Sequence, residues 1–260
     1  MKLYIFYFSE LQKRTIFGIS KNVTFVFFFI LFLAACRSSN RQNIQDYYYP
    51  LRDLKEAKVY EYRAVGDDSL PPYYWYFQTI RQDNGLFFTG NYYDQDFEVR
   101  QLTSEHVVKS GTLMQQYLLY QPDSSKFTQS VEADIEAAST FPFEVTDTNS
   151  VFLFKIKWHD LHDTTNTTTL VRNRRFKGFT KYTYQGKEYD CVEFAVRDLV
   201  DNFQPKLGHI EPQYSSREIY AKGIGLVFSS KELTVTNKIE YKLFDIYSMA
   251  VFEDKFSKKQ

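Results

Sequence analysis

From residue 58 onward, apolar and polar residues tend to alternate in short runs. Lys58–Ala64 places Tyr60, Tyr62 and Ala64 on one face and Val59, Glu61 and Arg63 on the other. In Val151–Trp158 the residues Phe152, Phe154, Ile156 and Trp158 point one way, with Lys155 and Lys157 opposite. Near the end, Ile239, Tyr241 and Leu243 alternate with Lys238, Glu240 and Lys242. A period of two is that of a β-strand, and one wet face opposite one buried face is the habit of antiparallel sheets. Turn residues at Gly66-Asp67-Asp68-Ser69, Asp83-Asn84-Gly85, Pro122-Asp123-Ser124-Ser125 and Gln185-Gly186-Lys187 separate the runs. Further strands are predicted at 73–81, 86–93, 97–103, 115–121, 126–133, 169–176, 179–184, 189–197, 217–221 and 225–229. Only 51–57 and 197–204 offer short helices. The fold class expected is mainly β, a large and strongly curved antiparallel meander, half-barrel or partial barrel, with one or two short helices. A weak boundary is placed at 134–150, where the aromatics thin out.

The N-terminus has a different pattern. Val23–Ala35 (VTFVFFFILFLAA) is an uncharged run preceded by Lys13, Arg14 and Lys21. That is the layout of a secretory signal, and it falls short of the roughly 20 apolar residues that span a bilayer. Leu33-Ala34-Ala35-Cys36 resembles the lipobox of bacterial lipoproteins. The resemblance implies a diacylglyceryl group on the Cys36 thiol and cleavage before it. The expected layout is a signal peptide at 1–35, a lipidated tether at 36–46, one β-rich domain at 47–252 and a polar tail at 253–260. Two acyl chains anchor stably where one is marginal. Arg37, standing where Asp would imply inner-membrane retention, favours the outer membrane by the same resemblance.

Charge and composition narrow the function. The 260 residues carry 32 basic and 32 acidic side chains. Removing the leader takes away Lys2, Lys13, Arg14 and Lys21 against Glu10, so the mature chain is slightly acidic. A nucleic-acid partner is therefore not expected. With Cys36 and Cys191 as the only cysteines, no disulfide scaffold forms, and Cys191 is expected to pack as a small hydrophobe.

Catalytic patterns are missing: there is no G-x-S-x-G, S-x-x-K or H-E-x-x-H. His159 and His162 in Trp158-His-Asp-Leu-His-Asp163 are weak metal candidates, since i and i+3 share a face only on a helix. Asp67/Asp68, Asp94/Asp96 and Asp198/Asp201 read as solvated charges at turns and strand ends. No enzyme activity, metal or cofactor is expected. The remaining anomaly is aromatic: these residues make up 18% of the chain, and Tyr73-Tyr74-Trp75-Tyr76-Phe77 are five in succession. A strand covered on both faces accounts for them, and so does a ligand-facing surface on which rings stack.

The second half carries a recognisable order: Phe154-Lys-Ile-Lys-Trp158, Leu170 to Gly178, Cys191-Val-Glu-Phe194 within Tyr184–Phe194, and Tyr220-Ala-Lys-Gly-Ile-Gly-Leu-Val227. With Tyr49-Pro50-Leu51 at the domain start, it resembles uncharacterised bacterial envelope lipoproteins with an antiparallel half-barrel of the LolA/LolB kind. The resemblance spans Val151 to Tyr247. Together with the anchor it implies a non-catalytic module binding a hydrophobic or glycan ligand, or a protein partner. The alternatives are an envelope hydrolase with acids drawn from distant strands, and a purely structural envelope protein.

Overall fold

The computed structural model describes residues 41–67, 69–122, 128–146 and 150–257. The leader, the lipobox, Cys36 and residues 37–40 of the tether lie outside the described residues, as do Asp68 and Asp123–Ser125 of two expected turns. From Arg41 on, the chain forms one unit.

The strands are β1 (Gln42–Asn43), β2 (Lys58–Ala64), β3 (Tyr73–Gln82), β4 (Gly85–Tyr93), β5 (Val99–Val108), β6 (Gly111–Pro122), β7 (Thr128–Glu132), β8 (Asp134–Pro142), β9 (Glu144–Val145), β10 (Val151–His159), β11 (Thr167–Tyr184), β12 (Lys187–Gln204), β13 (Gly208–Ile210), β14 (Gln213–Ala221), β15 (Gly225–Glu232) and β16 (Lys238–Tyr247). One helix, α1 (Met249–Ser257), ends the described chain. Neighbours run β11-β10-β8-β6-β5-β4-β3-β2-β16-β15-β14-β12, every ladder is antiparallel, and β11 pairs with β12. The meander is therefore closed into a barrel of twelve strands. This is the mainly β, strongly curved antiparallel meander that the alternation predicts, closed fully where the resemblance to the LolA/LolB kind implies a half-barrel.

Closure depends on the longest hairpin. β11 and β12 pair from Thr167↔Phe203 to Tyr184↔Lys187, around a two-residue turn whose residues Gln185 and Gly186 both have positive φ (48° and 76°). That turn matches the right-handed twist of the strands it joins. The expected strands at 169–176 and 179–184 are one strand with a bulge between Phe176 and Gly178. The helix expected at 197–204 is the end of β12, because its backbone is committed to β11 and β14. Between 51 and 57 only a 3-10 turn at Asp53–Lys55 forms.

The alternating faces fall as their pattern requires on the inside. Tyr60, Tyr62 and Leu243 are buried in the main core, while Ile239 and Tyr241 line the cavity described below. The outside differs in one place. The tail expected at 253–260 begins inside α1, and Phe252 of that helix packs with Val59, Tyr74 and Tyr247 on the outer face of the sheet. Glu61, expected on a wet face, is only 2% exposed, and it accepts hydrogen bonds from Tyr247 (2.8 Å), Lys255 (2.7 Å) and Arg63 (2.7 Å). Burial alone would raise its carboxyl, but these donors and the Lys255 charge bring it below the ordinary value.

One end of the barrel is plugged by the segment that enters it. Ile44 N donates to Phe143 O (2.8 Å), Gly223 N donates to Asp46 O (2.8 Å), and Tyr48, Tyr49, Leu51 and Leu54 are buried behind them. Gly225 makes the plug possible. A Cβ there would come within 2.4 Å of the Tyr49 ring, so the second glycine of Lys222-Gly-Ile-Gly225 and the aromatic of Tyr49-Pro-Leu51 are two halves of one contact.

Candidate functional site: the barrel lumen

Above the plug the barrel holds a cavity of about 690 Å³, in the size range of small-molecule sites. Tyr48, Tyr49 and Tyr220 belong to its floor, and its lining extends to Gln101, Lys231 and Ile239, beside the loops at the opposite end. Two unlike walls enclose it. β3 and β4 contribute Tyr73, Trp75, Phe77, Phe88 and Tyr92. Trp75 and Phe77 stack nearly parallel (centroids 5.2 Å, 6°), and Tyr92 lies 5.7 Å from Tyr73 and 5.5 Å from Trp75. In the order of the closed sheet, β3 lies opposite β11 and β4 opposite β12. The aromatic wall thus faces the closing seam.

The seam is ionic. Arg172 forks onto Asp198, its cross-strand partner, through Nε (2.8 Å) and Nη2 (3.2 Å), and its Nη1 lies 3.5 Å from Glu218 Oε1. Arg174 Nε donates to Glu218 Oε2 (2.8 Å), which also accepts from Tyr220 Oη (3.0 Å), and Arg174 Nη1 donates to Thr140 O. Asp198, Glu218 and Arg174 are all buried. Burial by itself would raise the Glu218 carboxyl, but the guanidinium charges of Arg174 and Arg172 bring it down to about 2. Both arginines are held above their ordinary range, burial being outweighed by Glu218 for Arg174 and by Asp198 and Glu218 for Arg172.

At the floor sits a third carboxyl with the opposite shift. Glu105 Oε2 accepts from Tyr48 Oη (2.9 Å) and Thr140 Oγ1 (2.6 Å), and Thr140 Oγ1 lies 2.7 Å from Thr112 Oγ1. Burial raises its pKa despite the hydroxyls and Arg174. One lumen therefore holds a carboxylate pinned in its charged form and a carboxyl biased toward its neutral form.

Sequence reasoning located half of this. Tyr73, Trp75 and Phe77 line the cavity, whereas Tyr74 and Tyr76 belong to the outer cluster with Phe252, since alternate residues of one strand cannot share a face. His159 and His162 sit in an exposed loop organised by Asp160, whose Oδ1 accepts from the His162 backbone N (2.8 Å), while His159 Nδ1 lies 2.8 Å from Thr164 O. Among the described residues the group with metal-like spacing is Asp201, His209 and Glu211, on the β12–β13 hairpin and its exit. Cys191 is fully buried, and burial pushes its thiol up to about 11, as suits a small hydrophobe. Asp198 is the clearest miss. Read as a loop charge beside Asp201, it is 3% exposed and part of the seam. Glu105, Arg172, Arg174 and Glu218 were not singled out. A usable signal was present: Arg172 and Arg174 both break an otherwise strand-like segment on the phase shared by Leu170 and Phe176.

Among solved structures, a candidate exported protein with a YmcC-like fold from Bacteroides fragilis NCTC 9343 is similar, with a TM-score of 0.52 at 14% identity, over 77% of this chain and 99% of that one. Two others are a candidate lipoprotein from Parabacteroides distasonis ATCC 8503 (TM-score 0.44, 13% identity, 76% and 95% covered) and the hypothetical lipoprotein YmcC from Escherichia coli K12 (0.34, 13%, 75% and 88%). No protein-family profile and no curated protein matches the chain. At these identities the likeness is one of fold, and the first of the three carries it.

Proposed function

We propose that the chain is a lipid-anchored, non-catalytic binding module of the bacterial cell envelope, whose barrel lumen takes a small amphipathic ligand. The observation that carries this reading is the two-walled cavity of about 690 Å³, with stacked rings on one side and paired charges on the other. Rings offer a large apolar face, and the ionic seam offers hydrogen bonds to a polar edge. The lipobox at Cys36 supports the anchor, and the exported-protein description of the similar structure from Bacteroides fragilis supports the compartment. Arg37 favours the outer membrane.

The test is to extract the intact chain from native membranes in polymer nanodiscs and weigh it by native mass spectrometry. We expect a mature N-terminus at acylated Cys36 and a bound small molecule that is lost in Trp75→Ala but kept in Trp158→Phe, whose ring is outside the cavity. An unmodified Cys36 overturns the anchor. An empty lumen in the wild type, with no change in Trp75 fluorescence across lipid and glycan panels, overturns the binding reading.

A hydrolytic reading rests on one observation, the oppositely shifted Glu105 and Glu218, since such pairs can serve as acid and base. It requires Glu105→Gln to abolish turnover of an ester or glycoside that the wild type cleaves. Glu218 held by two arginines and a tyrosine favours an architectural role instead.

A further inference from the structure

The ion pairs of the seam leave one lumen-lining cation unmatched. Lys231, on β15, is half-buried and lines the cavity. No carboxylate of the described residues reaches ion-pair distance of its ammonium, whose near contact is the face of the Tyr214 ring (4.2 Å). Burial pulls the ammonium below its ordinary value, Asp198 opposes this and Arg172 adds to it. Both oxygens of Asp198 are occupied by the Arg172 fork. Arg172 is paired with Asp198 and Arg174 with Glu218, and Glu105 is held at the floor by the Tyr48 and Thr140 hydroxyls. Among the lumen-lining cations of the described residues, Lys231 is therefore the one without an ion-pair partner.

Its surroundings suit an anion. Ser216 is its cross-strand partner, and Ser229 and Ser230 line the same wall. A continuous path of rings leaves this corner. Tyr241 is paired with Ser229, its ring is 4.8 Å from Tyr73, and Tyr73 leads through Tyr92 to Trp75.

We propose that the mouth of the lumen is an anion subsite, with Lys231 and the Ser216 hydroxyl receiving the single carboxylate or phosphate of an amphiphile whose apolar body lies along Tyr241, Tyr73, Tyr92 and Trp75. This rests on the lumen being the binding site and adds the charge class of what enters it. An anion at Lys231 offsets the cost of holding an ammonium away from water, which a neutral or cationic amphiphile does not.

The test uses the full-length chain in nanodiscs and the fluorescent anion 1-anilinonaphthalene-8-sulfonate, displaced by dodecanoate, dodecyl maltoside or dodecyltrimethylammonium below their micellar concentrations. Empty nanodiscs provide the background. Dodecanoate is expected to displace the probe at roughly tenfold lower concentration than the neutral and cationic chains, with an advantage that shrinks as salt is added. Lys231→Met is expected to bring the three within about threefold of one another, chiefly through loss of the dodecanoate advantage. Half-exposed and without an ion-pair partner, Lys231 orphans no buried charge when replaced, and the salt dependence of the wild type reports on the subsite independently of the variant. Equal displacement by all three chains in the wild type overturns the subsite and leaves the lumen reading intact. No binding of probe or chains above the nanodisc background overturns both.

Discussion

The two walls of the lumen solve the problem of an enclosed surface in opposite ways. The β3–β4 wall is built from neighbours in sequence, Tyr73 to Phe77 and Phe88 to Tyr92, which stack on one another at centroid distances of 4.9–5.7 Å. Each ring is tolerant of its neighbours, because apolar burial is non-directional. The β11–β12–β14 seam is built from residues 26 and 44 positions apart, Arg172 with Asp198 and Arg174 with Glu218. There every group depends on a particular partner, because a buried charge without one is costly. The aromatic wall is expected to degrade gradually under substitution and the ionic seam abruptly.

The largest effect follows from breaking the seam. Arg174→Met leaves Glu218 buried with Tyr220 as its close partner, Arg172 Nη1 being 3.5 Å away, and is expected to cost about 3–5 kcal/mol of unfolding free energy. The double variant Arg174→Met/Glu218→Leu removes the orphaned charge and is expected to recover most of that loss. Urea unfolding followed by circular dichroism measures both. If the double variant is as unstable as the single one, the seam stabilises through packing and not through charge pairing, and the contrast between the walls fails.

The same contrast decides what could be read before the fold was known. Aromatic alternation is local, so β2, β10 and β16 and their inward faces were legible from residues two apart, while the five successive rings of β3 showed a strand without showing which face turns inward. The ionic seam was not, since Asp198 beside Asp201 and Glu218 beside Arg217 look like the charges of any solvated strand. Their burial comes from the far end of the β11–β12 hairpin, where Arg172 meets Asp198, and from the β14 ladder on β12, and neither separation is spanned by a pattern of residues two apart. Glu61 shows the same limit on the outside. Its strand phase was right, but the helix that covers it lies 194 residues away at Lys255. Gly225 stands in the Tyr220–Val227 motif, while the reason for a glycine there, the ring of Tyr49, lies at the other end of the domain.

An intermediate effect sharpens the description of the aromatic wall. Gly90 on β4 faces the stacked pair, and a Cβ there would lie 2.9 Å from the Phe77 ring, 2.9 Å from Thr103 Oγ1 and 3.0 Å from the Trp75 ring. Gly90→Ala is expected to cost about 1–3 kcal/mol, as overpacking does. Phe77 is buried and cannot yield, so Trp75 must swing into the lumen. Its fluorescence is expected to shift and probe binding to weaken, even where the protein remains folded. A folded variant with unchanged fluorescence and binding would show that the wall is looser than its contacts imply.

The smallest effect is a difference in sign between two carboxyls. Glu218 has a folded value near 2, below its ordinary value, so its contribution to stability is present above about pH 4.5 and is lost as pH falls toward 2. Glu105 has a raised folded value, so its contribution is complete below about pH 4.5 and is lost as pH rises through that folded value. Stability curves of Glu105→Gln and Glu218→Gln, each subtracted from the wild type across pH 3–8, are therefore expected to slope in opposite directions. The Glu105→Gln variant should gain on the wild type with rising pH, because it has no proton to lose beneath Tyr48. The Glu218→Gln variant should fall further behind as pH rises from 3 toward about 4.5, because in that range the wild-type carboxyl is ionised when folded and still largely protonated when unfolded. Parallel curves would mean that the floor and the seam share one electrostatic environment. In that case the lumen is a single polar cavity and not an ionic wall set against an aromatic one.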